Sequence, residues 1–497
     1  MTEEKINNEI KSDVPLGMPA EPKSPERIAF EERLKSMNDP ITLDKLRNIL
    51  DSTIKFDNNS KIITFLLMLL NYTEEDQQNI GYNAESSTGK SYIPLELTWY
   101  FPQEDVIELG YVSPQAFFHE QGIFDKERKV RIIDYEQKIV VFMDMPHDQL
   151  LHRIRPLLSH DRKILTSKIT DKKERYGTRT ETTEIIGYPS VIFCTAKFSM
   201  DDQERTRMLL LSPETDQEKL KAGILLRIEK ECDREAFRAK MEDNSDRQHL
   251  AGRVAAIKTA SIHNILIPDE YKNRIGERFL ENRVRLLPRH QRDISRLMAL
   301  IKACALFNYQ THERVETAIS RSIIATTEDI ESGFRLYEGI RESNELGLAP
   351  ETYEVYQKIA PNITDQGITK NDFSRAYFDA FGKPLSSKRR DEMLNLFCSV
   401  GILSDELDPN DKRRALYTKI KYPSTRVQQK TAYPSQRVFN FDDFIEVKRV
   451  LSQEERECAV CGYVKPTDAQ ATTNKGETLA ICESCFMEFN KKREASP

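Results

Sequence analysis

Residues 79–91, NIGYNAESSTGKS, place a short apolar run directly before a turn of small residues that ends in Gly89, Lys90 and Ser91. An apolar strand, a Gly/Ser-rich turn and a Lys-Ser pair are the parts of a phosphate-binding loop. Backbone N–H groups surround the phosphates there, the lysine reaches their far oxygens, and the hydroxyl serves Mg²⁺. Ala84, Glu85, Ser86, Ser87, Thr88, Gly89, Lys90 and Ser91 are therefore the candidate nucleotide-binding residues. Ala84 stands where the usual pattern has glycine, which is tolerable if its φ stays negative. Pro94 falls inside the helix that should follow and is expected to kink it.

A loop of this kind needs a carboxylate beside its metal, and KIVVFMD at 138–144 supplies one: an apolar strand ending in Asp144. Ser91 and Asp144 are the candidate Mg²⁺ ligands, with Lys90 and Asp144 essential to hydrolysis. The next residues, Met145, Pro146, His147 and Asp148, contain no adjacent Glu to act as base for water; Asp148 reads as the N-cap of the helix that follows. A third apolar run, PSVIFCTA, ends in Thr195, placed to orient an attacking water. In ERTRMLLLSP, Arg205 and Arg207 precede a fourth, and Arg205 is placed to reach a neighbouring subunit's γ-phosphate.

These runs alternate with amphipathic stretches, which predicts an α/β core with a parallel sheet and helices packed on it. The expected organisation is a disordered or loosely helical tail at 1–40, a nucleotide-binding core at 41–215, a helical lid region at 216–345 and a winged helix at 346–422. A linker at 423–450 and a small zinc ribbon at 451–497 complete it. The first well-marked helix, SKIITFLLMLLNY, is expected over 60–72.

CAVC at 458–461 and CESC at 482–485 are two knuckles that bring four thiolates around Zn²⁺, with Cys458, Cys461, Cys482 and Cys485 as ligands and no open position for a catalytic water. The ribbon's partner is left open between nucleic acid and another protein. The other four cysteines, Cys194, Cys232, Cys304 and Cys398, lie among apolar neighbours and are expected to be buried thiols of a reducing compartment. Lys5, Glu9 and Lys11 interrupt any signal peptide, and the longest apolar run is half of what a bilayer needs, so a cytoplasmic location without a membrane partner is expected. A net charge of −6 confines any nucleic-acid contact to local basic patches.

The order of loop 84–91, Asp144 strand, Thr195 strand, arginines and helical region resembles the AAA+ ATPases, and within them the minichromosome maintenance helicases and their virus- or plasmid-borne relatives. Three features carry the narrower resemblance. KILTSKITDKKERYGTRTETTEIIGYPS, just before the Thr195 strand, reads as a hairpin whose turn at Arg175 to Thr178 gathers Lys172, Lys173, Arg175 and Arg179 to grip DNA phosphates. RDISRLMALIKACAL is similar to the lid helix of those helicases, which implies that Arg292 contacts the nucleotide; ATTEDIESGFRLYEGI is similar to the lid's closing helix, with Thr327 as its cap. Residues 350–422 read as three helices and a hairpin, with Lys388, Arg389 and Arg390 at the start of the third helix and Lys412, Arg413 and Arg414 in the wing facing a duplex.

The resemblance departs from its pattern at Ser295, where Glu is expected, and the N-terminal DNA-binding region of the cellular helicases is absent. It implies an ATP-dependent DNA motor, a helicase or translocase, assembled as a homo-oligomer of the hexameric-ring kind and using ATP, Mg²⁺ and Zn²⁺. The alternatives are an ATP-switched DNA-binding initiator or loader, and a DNA-binding regulator whose ATPase has degenerated.

Overall fold

The computed structural model describes residues 39–113, 122–160, 162–171, 179–195, 205–281, 283, 286, 289–317, 320–364, 366–407, 414–420, 444–449, 455–457, 464–466, 469–473, 478–482 and 485–487. The chain divides into two units, one of Met1–Glu281 with Arg285–Ile420 and one of Asn282–Val284 with Lys421–Pro497. The expected tail and linker lie outside the described residues, apart from Asp39 and Pro40 of the tail and 444–449 of the linker.

Among the described residues, nine strands precede residue 212: β1 (Ile80–Asn83), β2 (Val106–Leu109), β3 (Ile123–Asp125), β4 (Val130–Asp134), β5 (Ile139–Phe142), β6 (Ile164–Asp171), β7 (Arg179–Ile186), β8 (Ser190–Thr195) and β9 (Leu209–Leu211). Five of them form one sheet in the order β2-β5-β8-β1-β9, parallel throughout. Both faces of this sheet are covered, as a parallel sheet requires. Ile80, Tyr82, Ile139, Val141, Ile192, Cys194, Leu209 and Leu211 point to one face, and Val140, Phe142, Val191, Phe193 and Leu210 to the other. The alternation is that of a strand, whose neighbouring side chains leave on opposite sides. Gly81 falls where a Cβ would lie 3.1 Å from Leu210 Cδ2, so its lack of a side chain lets β9 pack against β1.

The first face is closed by helices from two distant stretches of sequence. α1 (Leu43–Leu50) and α2 (Asn58–Leu69) come before β1; the remaining helices of this region are α3 (Tyr92–Thr98), α4 (Asp148–Leu158), α5 (Gln217–Cys232), α6 (Arg234–Glu242), α7 (Ser245–Ala260), α8 (Asp269–Leu280), α9 (His290–Phe307), α10 (Thr327–Glu338) and α11 (Arg341–Glu345). α2 is apolar on nearly every side and is buried on nearly every side. Its Phe65 ring meets Phe307 of α9 edge-on, with centroids 5.9 Å apart. α1, α2 and residues 250–340 share one hydrophobic cluster with this face of the sheet, so that part of the region expected as a lid packs as a layer of the core, while α5 and α6 bury no residue. α4 closes the second face with Leu150, Leu151, Ile154, Leu157 and Leu158.

Several local expectations change. The helical region opens with two helices that meet at Asp233, whose extended backbone ends α5 and whose carboxylate caps α6 through Ala236 N–H. The helical region also holds a small sheet, β10 (Asn264–Leu266), β11 (Arg314–Glu316) and β12 (Arg321–Ile324), in the order β10-β12-β11. α10 is capped by Thr326, not Thr327: Asp329 returns a bond to Thr326 N–H and completes a capping box. His147, not Asp148, caps α4 through Nδ1, and Asp148 is the first helical residue. Cys194 and Cys304 are buried as expected, whereas Cys232 is exposed.

Residues 346–420 contain α12 (Pro350–Ile359), α13 (Lys370–Phe381), α14 (Ser387–Ser399) and a three-stranded antiparallel sheet of β13 (Ile368–Thr369), β14 (Leu403–Leu407) and β15 (Ala415–Lys419). They enclose their own core around Phe373, Tyr377, Leu394 and Phe397. In the second unit, β16 (Phe444–Arg449), β19 (Ala469–Thr473) and β20 (Thr478–Ile481) form one antiparallel sheet, and β17 (Glu455–Glu457) and β18 (Val464–Pro466) a hairpin. Among the described residues, no helix is long and apolar enough to cross a membrane.

Candidate nucleotide site

Parallel pairing brings the carboxyl ends of β1, β5 and β8 to one edge, with Asn83 opposite Thr195 and Phe142 opposite Phe193. The chain leaves β1 for the far side of the sheet and returns through β5 and β8 before adding β9 on β1's other flank. Loop 84–91 therefore emerges at the point where strand order reverses, the crevice in which α/β sheets hold ligands. Ala84 is buried, its N–H bonds to Thr195 O at 3.3 Å, and it is not among the residues with positive φ, so its methyl group is accommodated. The loop turns through two left-handed positions, Ser87 at φ 67° and Gly89 at φ 99°.

Ser91 meets the end of the Asp144 strand at this edge. The Ser91 hydroxyl lies 3.4 Å from the carbonyl of Met143, the residue before Asp144, and Asp144 Oδ1 accepts from Met145 N–H at 2.8 Å. Asp144 is exposed. A hydroxyl on the loop and a carboxylate one residue beyond the carbonyl it meets are the donor types that suit a hydrated divalent cation and a phosphate chain. Open space around Gly89, with no atom within 4 Å of a Cβ placed there, agrees with that fit. Lys90 Nζ rests 3.4 Å from the Glu85 carbonyl, which also accepts from Thr88 Oγ1 at 2.8 Å.

Pro94 is the third residue of α3, in its first turn, where proline is tolerated; on either side of it Ile93 and Leu95 donate to the Gly89 and Ser91 carbonyls at 3.1 and 3.3 Å. The Lys90 carbonyl, four residues before Pro94, accepts instead from the Cys194 thiol at 3.4 Å. Burial pushes that thiol up to about 11, against the opposing pull of Ser91 and Lys90, so Cys194 is a neutral packing group.

Thr195 is fully buried at the end of β8, level with the start of the loop. Arg205 and Arg292 lie elsewhere. Arg292 bonds to Thr206 Oγ1, and Thr206 precedes β9 at the amino edge of the sheet. Within one subunit that edge is separated from the loop by the length of β1, about 10 Å at ~3.3 Å per residue. Arg292 therefore sits at the edge opposite loop 84–91. Arg205, at the same edge, is 7% exposed and is packed into the protein. The neighbouring Arg296 is what the lid helix buries: it pairs with Asp293 at 2.8 Å and donates to the carbonyls of Thr206 and Met208.

Sequence reading missed two cations at the loop. Lys219, at the start of α5, reaches the Thr88 carbonyl at 3.3 Å and the buried Asp57 at 2.7 Å. Burial raises the Asp57 pKa and Lys219 opposes the rise. The signal was an N-terminal lysine on a helix that follows β9 closely, legible only once the topology is known. The second is Arg389. It was expected at a duplex, but it pairs with Glu85 at 2.9 Å and with Glu351 at 3.4 Å. Arg390 is likewise mostly covered and pairs with Asp391 at 2.9 Å, while Lys388 is exposed.

The hairpin expected before the Thr195 strand is β6–β7, paired from Ile164 opposite Ile186 to Asp171 opposite Arg179. Lys172, Lys173 and Arg175 lie outside the described residues; of Arg179 only the strand position is described. Lys412 and Arg413 also lie outside them, whereas Arg414 is exposed before β15. Cys482 and Cys485 are buried directly after β20, and Cys458 and Cys461 lie outside the described residues. No family of known proteins matches this chain, and no curated protein matches it.

Proposed function

We propose that the chain is an ATP-hydrolysing motor of the AAA+ type that acts on DNA as a helicase or translocase. The observation that carries the reading is the meeting of Ser91 with the end of the Asp144 strand at the crevice where loop 84–91 leaves β1. Lys90 has no carboxylate partner among the described contacts and is held only by a carbonyl, so it is ready to move to a phosphate. Mg²⁺, when bound, supplies charge neutralisation and orientation of the phosphates; Ser91 and Asp144 are the residues that hold it. Thr195, beside the loop, orients the attacking water. Arg205 and Arg292 share the amino edge, so in this reading they serve an adjoining subunit of a ring, and Arg205 must first swing out of its packing.

The three helices and antiparallel strands of 346–420 support the expected winged helix, and the antiparallel β6–β7 pairing supports the expected hairpin element. The four cysteines are assigned to a structural zinc ribbon. A second reading, an ATP-set DNA-binding switch, is favoured by one observation: α14, the helix expected at DNA, is tied by Arg389 to the nucleotide loop.

The test is ATP turnover by purified protein with and without single-stranded and duplex DNA, beside Lys90→Ala and Asp144→Asn. DNA-stimulated turnover that falls about 100-fold or more in both variants is expected, as for loss of a charge-stabilising group. Tight ATP binding with no turnover in any condition would replace the motor with the switch.

A further inference from the structure

Glu85 is the junction of two sites. Its N–H bonds to Glu351 Oε2 at 3.3 Å, and its carbonyl takes the Lys90 ammonium and the Thr88 hydroxyl. Its carboxylate takes Lys383 Nζ at 3.1 Å and Arg389 Nε at 2.9 Å. Arg389 reaches on to Glu351 at 3.4 Å. Two carboxylates and two cations thus balance between the phosphate loop and the segment that joins α13 to α14. Arg389 lies between Lys388 and Arg390 in the first turn of α14, and Lys383 lies in the segment just before that helix.

We infer that this basic edge is a surface for the phosphate backbone of duplex nucleic acid, and that the Glu85 carboxylate competes with those phosphates for Lys383 and Arg389. Backbone phosphates are the partner this chemistry fits, because an ammonium and a guanidinium already hold carboxylates side by side there and exchange them readily for phosphate oxygens. The Lys383–Glu85 pair is partly exposed, 44% and 29%, so it opens at modest cost; Arg389, 18% exposed against 10% for Glu351, is the costlier of the two cations to free. Opening leaves Glu85 and Glu351 uncompensated beside the loop, where a triphosphate is to sit. Duplex and nucleotide therefore weaken each other's binding, reciprocally. Burial already holds the Glu351 pKa above the usual carboxylate range despite Arg389, in keeping with a carboxylate that depends on its partners. The inference rests on the reading of loop 84–91 as a nucleotide site, but the competition for Lys383 and Arg389 is measurable without nucleotide.

The test uses the full chain and a fluorescent 30-base-pair duplex. Without nucleotide, Glu85→Gln should tighten duplex binding by about 5-fold, the lower end of ordinary coupling; Lys383→Ala in that background should remove the gain. With a fluorescent ATP analogue, saturating duplex should weaken nucleotide binding by a similar factor in the wild type and not in Glu85→Gln. Equal duplex affinities for wild type and Glu85→Gln, each folded by its unfolding temperature, overturn the inference; so does an absence of duplex binding in both. Failure of every form to bind the ATP analogue, with the duplex gain intact, sinks the nucleotide reading and leaves the competition standing.

Discussion

Gly89 shows how much a single backbone angle decides. At φ 99° it holds a conformation that an L side chain adopts only at a cost, although no neighbour stands in the way of a Cβ. Gly89→Ala should therefore lower stability by only about 1 kcal/mol yet distort the N–H groups that face the phosphates. Nucleotide titration beside urea unfolding checks this: a large loss of affinity with little loss of stability is expected. His312 gives a second residue-scale prediction. Its Nε2 lies 2.7 Å from Asp329 and its Nδ1 2.8 Å from the Asn308 carbonyl. Burial favours the neutral ring, but Asp329 and the Asn308 carbonyl outweigh it and raise the pKa above the ordinary 6.5. A pKa raised by folding adds stability that is complete below the unfolded value and is lost as pH rises through the folded one. Unfolding temperature should fall from pH 6 to pH 8 in the wild type by more than in His312→Gln, at roughly neutral-range pH values where no other His pair is invoked.

At the scale of elements, α9 and α10 are pressed together at Gly333. A Cβ there would lie 2.5 Å from Ile301 Cγ1 and 2.8 Å from Ile301 N, so neither backbone nor side chain has room. Gly333→Ala gains about 1 kcal/mol of helix propensity and loses more to overpacking, for a net loss of about 1–2 kcal/mol. Gly276, inside α8, meets nothing within 4 Å. Gly276→Ala should stabilise by about 0.5–1 kcal/mol, and denaturant midpoints of the two variants should move in opposite directions. Elements were largely legible in the sequence because their apolar period is local: NIGYNA, KIVVFMD, PSVIFCTA and RMLLLSP all became strands of one parallel sheet. Caps were less so. Thr326 and Thr327 are adjacent hydroxyls, and only the reach of Asp329 back to residue 326 selects between them. Pro94 falls inside α3 as read, but its place in the first turn depends on where the helix begins, which the apolar pattern does not mark.

Across the whole molecule, what the sequence hid is what distant segments do to each other. The burial of residues 250–340 against α2 follows from a cluster that joins positions far apart in the chain. Likewise, Arg389 reads as a DNA contact by its place on a helix, and only the fold shows Glu85 beside it. Buried Arg296 is of the same kind. With Asp293 unexposed beside it, Arg296→Ala should cost about 3 kcal/mol, at the lower end for an orphaned buried charge because Arg289 also pairs with Asp293. Urea unfolding measures it.

The account turns on whether Ser91 and Asp144 act together on a Mg²⁺–nucleotide complex. The direct measurement is binding of a fluorescent ATP analogue, with Mg²⁺ and with a chelator, to the wild type, Ser91→Ala and Asp144→Asn. Binding that depends on Mg²⁺ in the wild type and loses that dependence in both variants is the expected result. Binding in which Mg²⁺ makes no difference to the wild type, or no binding at all, would contradict the site.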